Sequence, residues 1–157
     1  MPPAIPSPEQ LDLLAWTPPE TVERFEARVV RASSVAGQIS HGVAAALRDA
    51  DARGLSREDV AQRMSGYLGE RVSVPMLNGY ASEAREQSVI TVPRLLALIH
   101  VTGDRRLLQL LAEPFAWAVI ESRYLPMIEL AAVQEHEAKL RRHADQLRRS
   151  VQQGRRK

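Results

Sequence analysis

The chain has 157 residues, 45% hydrophobic and 25% charged, with a formal net charge of +2, an ordinary globular composition with room for one core or one core plus an appendage. It contains no cysteine, which excludes disulfides, thiolate zinc sites, iron–sulfur clusters and cysteine nucleophiles. No apolar run approaches the ~20 residues of a membrane helix, and prolines stand where a signal peptide needs charge and then apolar residues, so a cytoplasmic protein is expected.

Few aromatics in a chain rich in Ala, Leu and Arg predict an all-α fold. Six of the ten prolines fall in the first 19 residues, which predicts a disordered or extended arm over 1–16. Thr17, Pro18 and Glu20 spell a helix start: a capping hydroxyl, a proline at the first helical position and a glutamate three residues after the cap. From Val22 through Phe25, Val29, Ala32, Ala36, Ile39, Val43 and Ala46 to Ala50, apolar or small residues recur at three- and four-residue steps. The segment 17–54 is therefore either one long helix to about Arg53 or two helices broken near Gly37, and Gly54 ends it.

Ser56 with Asp59 forms a capping box for a helix whose buried face is Val60, Ala61, Met64 and Leu68, closed by Gly69. Ser73 and Pro75 start a short helix carrying Met76 and Leu77, which Asn78-Gly79 should end in a left-handed conformation. Thr91-Val92-Pro93 begins a helix over Arg94 to Val101, stopped by Gly103, and Asp104 caps the next one, with Leu107, Leu108, Leu110 and Leu111, up to Pro114. Phe115, Trp117, Val119 and Ile120 form the densest apolar cluster and should seal the core or a partner surface. The last helix should run from Leu125-Pro126 to about Gln152. Its seam of Leu130, Val133, Leu140 and Leu147, flawed at Glu137 and Ala144, suits weak homodimerisation as a coiled coil.

Charge is unevenly placed. Residues 27–138 hold 12 basic against 13 acidic side chains, whereas 139–157 carry eight basic residues against Asp145 alone. Arg141, Arg142, Arg148, Arg149, Arg155, Arg156 and Lys157 are accordingly candidates for nonspecific phosphate contacts. The alternative is that they solvate the outer face of a long helix. Histidines give little support to an enzyme: His136 and His143 are two turns apart, and His41 and His100 stand alone. No phosphate loop, dinucleotide glycine pattern or nucleophile elbow occurs. A non-enzymatic protein without metal or cofactor is expected.

The stretch from Ser56 to Gly79 has the layout of a helix-turn-helix, in which the second helix presents its first residues to the major groove of double-stranded DNA. Ser73, Val74, Met76 and Asn78 are the candidate base contacts, and Arg57, Arg71, Arg85 and Arg94 the candidate phosphate contacts. A plain helical bundle with a short connecting helix fits the same pattern. Val60-Ala61-Gln62-Arg63-Met64, Ser73 to Gly79, Val92-Pro93 with Leu95 to Ile99, and Gly103-Asp104 together resemble the phage-repressor type of helix-turn-helix domain. More specifically, they are similar to small uncharacterised proteins of Mu-like transposable phages and prophages. The likeness to the repressor domain covers about residues 55–112, and the closer prophage similarity continues through Phe115-Ala116-Trp117 into the last helix. It implies a five-helix DNA-binding domain, placed here at 55–121, and a regulatory role in a temperate phage. Residues 122–157 then form the long C-terminal helix and its basic tail. Ser65 to Leu68 add about one turn to the repressor pattern before the glycine. The rival reading is a helical adaptor or assembly protein that keeps this scaffold but binds a phage or host protein.

Overall fold

The computed structural model describes residues 21–83 and 89–154, and among these the chain is helical with no strand. The arm over 1–16, the cap at Thr17 to Glu20 and Arg85 lie outside the described residues. The helices are α1 (Val35–Ala52), α2 (Arg57–Leu68), α3 (Val74–Tyr80), α4 (Val92–Thr102), α5 (Arg106–Ala112) and α6 (Leu125–Gly154). They fall into two compact units, one up to Val119 and one from Ile120.

The periodic stripe beginning at Val22 does not become helix until Val35. Residues 21–34 instead form bends and a turn closed by the Val29 N–H on the Glu26 carbonyl at 2.8 Å. The reason is local. Ser34 is extended, and its hydroxyl accepts the Gly37 N–H at 3.1 Å, so the helix begins there. The result is a single helix that passes through Gly37 without a break. Its inner face buries Val43, Ala46, Leu47 and Ala50. At Gly42 a Cβ would come within 2.9 Å of the Cδ2 end of the Leu110 side chain, so a larger residue there would make that side chain shift.

In α2 both halves of the capping box form: the Ser56 hydroxyl accepts the Asp59 N–H, and the Asp59 carboxylate accepts the Ser56 N–H at 3.1 Å. Gly69 ends the helix at φ 68° with open space around it. Only backbone conformation demands a glycine there, whereas Gly66, inside α2 and equally unobstructed, has no such role. Gly69→Ala should therefore cost about 1 kcal/mol and Gly66→Ala should gain about 0.5–1 kcal/mol, opposite shifts in a urea-unfolding midpoint.

The added turn Ser65 to Leu68 is tied down by Ser65. Its hydroxyl donates to the Ala61 carbonyl at 2.7 Å and accepts the Val72 N–H at 2.9 Å, clamping the chain as it enters α3. Asn78-Gly79 does not terminate α3. Leu77 and Tyr80, three residues apart, are both buried in the core, and holding them there keeps Asn78 and Gly79 helical.

The core gathers Leu47, Val60, Met64, Leu77, Leu98 and Leu107 from α1 to α5. α4 follows Thr91 and is closed by a left-handed Gly103, and the Asp104 carboxylate accepts the Arg106 N–H at 3.1 Å at the start of α5. Phe115 and Trp117 do not join the core and are 63% and 68% exposed. Pro114 and a left-handed Ala116, φ 57°, turn the chain outward. What docks is backbone: the buried Gln109 amide donates to the Trp117 carbonyl at 3.3 Å and accepts the Val119 N–H at 2.7 Å.

α6 spans 30 residues after a short 3-10 turn, Ser122–Tyr124. Leu130, Val133, Leu140 and Leu147 are each between 53% and 57% exposed.

Candidate nucleic-acid interface

α2 and α3 are joined by the Gly69–Ser73 turn and pack on one another, forming a helix-turn-helix arrangement. The candidate base contacts separate into two groups. Val74 and Met76 are half-buried and packed against the core, so they anchor α3 instead of projecting from it. Ser73 stands at the N-cap position with no cap hydrogen bond from its side chain, and Asn78 is exposed. Pro75, which the sequence pattern assigned only a helix-starting role, shares the exposed edge of α3.

The arginines separate as well. Arg57 opens α2 and donates to the Asn78 side-chain oxygen across the turn, joining a phosphate candidate and a base candidate in one exposed pair. Arg71 is exposed in the turn. Arg94 is occupied, with Nε 3.0 Å from Glu70 and a guanidinium nitrogen 2.5 Å from the Tyr80 hydroxyl. Hydrogen bonding to Glu70 and then to Tyr80 holds it above the ordinary guanidinium value. It braces α4 against α3.

A feature absent from the sequence reading lies on the outer side of α2. The Tyr67 ring stacks on His100 of α4 with centroids 4.5 Å apart, and with Arg63 and Val101 these residues line an open cleft of about 370 Å³. The four-residue spacing of Arg63 and Tyr67 on one helix face was the available signal.

Two carboxyls of this unit lie below their ordinary values. Asp59 is held down by hydrogen bonds from the Ser56 hydroxyl and backbone, and Glu23 by its hydrogen bond to Arg105 at 2.5 Å. Folded values below the unfolded ones mean that their contribution is complete above the unfolded values of ~4 and is lost as pH falls through the folded values. The double variant Asp59→Asn, Glu23→Gln should thus flatten the loss of stability as pH falls below about 5, measured by urea unfolding at a series of acidic pH values.

In the second unit, Lys139 pairs with Glu135 at 2.8 Å, Arg141 with Glu137 at 3.8 Å and Arg148 with Asp145 at 3.0 Å, all exposed. Arg142 and Arg149 are also exposed, while Arg155, Arg156 and Lys157 lie outside the described residues. Among the described residues no three His, Asp or Glu side chains group as a metal site, and no helix is long and apolar enough to cross a membrane. Comparison with protein families, curated proteins and solved structures finds no match for this chain.

Proposed function

We propose that this protein is a sequence-selective DNA-binding regulator of the helix-turn-helix class, of phage or prophage origin, that acts as a homodimer. The α2–turn–α3 arrangement with an uncovered edge on α3 carries the reading. Val74 and Met76 seat α3, Ser73 and Asn78 face the base edges, and Arg57 and Arg71 reach phosphates on either side. When the Asn78 amide pairs with a base, Arg57 exchanges that partner for a phosphate. The outer bases of α6, Arg142 and Arg149, add sequence-independent phosphate contacts. The resemblance of Val60 to Met64, Ser73 to Gly79 and Gly103-Asp104 to phage repressors supports the regulatory role.

Selection of fragments from a random duplex library at ~150 mM salt, where purely electrostatic binding is weakened, tests this reading. An enriched inverted repeat is expected, and uniform weak recovery would overturn it. Arg57→Ala with Arg71→Ala should weaken binding to the selected site at least ~10-fold, as loss of two charged phosphate contacts implies, without lowering the melting temperature. Arg94 is unsuitable for that test because its loss would also release Glu70 and Tyr80.

A second reading, a helical adaptor, is favoured by the exposed Phe115–Trp117 ring pair, with centroids 5.1 Å apart. An adaptor would keep its protein partner when Arg57 and Arg71 are replaced.

A further inference from the structure

The apolar stripe of α6 is uncovered. Leu130, Val133, Leu140, Leu147 and Val151 recur at heptad positions along it, and each is more than half exposed. The charges of the helix are sorted by end. From Leu125 to Ala138 there are three glutamates, Glu129, Glu135 and Glu137, and no lysine or arginine. From Lys139 to Gly154 there are five lysines and arginines against Asp145. Glu137 occupies a position within the stripe itself, between Val133 and Leu140.

We infer that α6 pairs with α6 of a second copy as an antiparallel two-stranded coiled coil. Parallel pairing in register would set Glu137 against its own counterpart inside the seam, the acidic half against the acidic half and the basic half against the basic half. Antiparallel pairing removes all three conflicts. With Glu137 level with Leu140 of the second copy, Leu130 meets Leu147 and Val133 meets Ala144. The acidic half of each helix then lies alongside the basic half of the other, and the two helix dipoles oppose. The overlap is ~40 Å long on helices ~10–12 Å wide, which brings the joint surface close to the ~1,000 Å² of a small specific interface.

The pairing needs no nucleic acid and stands apart from the DNA-binding reading.

The chain has no cysteine, so single engineered cysteines report without background. Leu130→Cys and Leu147→Cys are purified separately, one carrying a mass tag, and oxidised mildly alone and mixed, in the absence of DNA. Both positions are exposed, so circular dichroism should match the unaltered protein. A disulfide-linked heterodimer in the mixture, with little or none in either variant alone, is the expected result. Cross-linking of each variant with itself would show parallel pairing and overturn the inference. A monomeric mass by light scattering with no cross-link in any arm would overturn it equally. In the unaltered protein the dimer dissociation constant should rise several-fold between ~50 and ~500 mM NaCl, because opposed charges are screened. A constant that is unchanged or falls would contradict the charge argument for this orientation.

Discussion

Leu77→Ala will lower the unfolding free energy by about 3 kcal/mol, within the 2–5 kcal/mol range for truncating a buried leucine. Leu77 is fully buried in a helix of only seven residues, and Val74, Met76 and Tyr80 are the other apolar side chains holding that helix to the core. An isolated helix of that length has no stability of its own. The cavity and the detachment of α3 therefore act together. Since a typical domain has about 5–15 kcal/mol in hand, the variant should unfold at visibly lower urea with an unchanged slope. It should also lose DNA binding on the reading proposed above. Leu140→Ala on α6 is the control: its side chain is 56% exposed, and the unfolding of the α1–α5 unit should not move.

Arg106→Leu will destabilise the same unit by about 3 kcal/mol, for an electrostatic reason. The Arg106 guanidinium lies 2.8 and 2.6 Å from the Asp104 carboxylate and 2.6 Å from Asp49, and it covers the Phe25 ring at 4.4 Å from the centroid. The Asp104 side chain is only 4% exposed, while Asp49 is 49% exposed. Hydrogen bonding to Asp104 holds Arg106 above the ordinary guanidinium value, against the opposing effect of burial and with Asp49 assisting. Loss of Arg106 leaves a buried carboxylate with the Arg106 backbone N–H as its hydrogen-bond donor. Asp49 turns to water at little cost. Asp104→Asn combined with Arg106→Leu should recover part of the loss, because the penalty is the uncompensated charge. A double-mutant cycle by denaturant unfolding measures it. Additive losses would show that Arg106 acts through packing on Phe25 instead.

Helix ends were legible wherever the signal is chemical and short in range. Ser56 with Asp59, Gly69, and Gly103 with Asp104 each engage groups within a few residues, and Pro93 fits the first turn of α4 although the Thr91 side chain makes no cap hydrogen bond, so the meaning of these signals survives in isolation. Periodicity and turn propensity misled where burial decided the outcome. The stripe from Val22 to Ala32 has helical spacing, yet Ser34 supplies a cap after it, and Phe25 finds the core from a non-helical segment. Asn78-Gly79 favours a left-handed turn, but the core positions of Leu77 and Tyr80 override that preference.

The candidate interface was legible in part for the same reason. Ser56 to Gly79 indicates two helices and a turn, but not which side of α3 lies down. Packing assigns Val74 and Met76 to the core, while Arg94 turns to Glu70 and Tyr80. Phe115 and Trp117 read from hydrophobicity alone as core or partner surface, and they are not in the core. Their exposure follows from Gln109, a distant polar residue whose buried amide fixes the backbone beside them.

By itself the sequence determined the all-helical class, most helix boundaries from Ser56 onward, the length of α6 and the separation of its acidic and basic halves. Those depend on caps, spacing and charge order along one chain. Tertiary structure alone decided where α1 begins, which face of α3 is exposed, which arginines are already paired and which aromatics stay in solvent. Each of these depends on what lies opposite a side chain in space, and burial of apolar surface outweighs a local preference of about 1 kcal/mol.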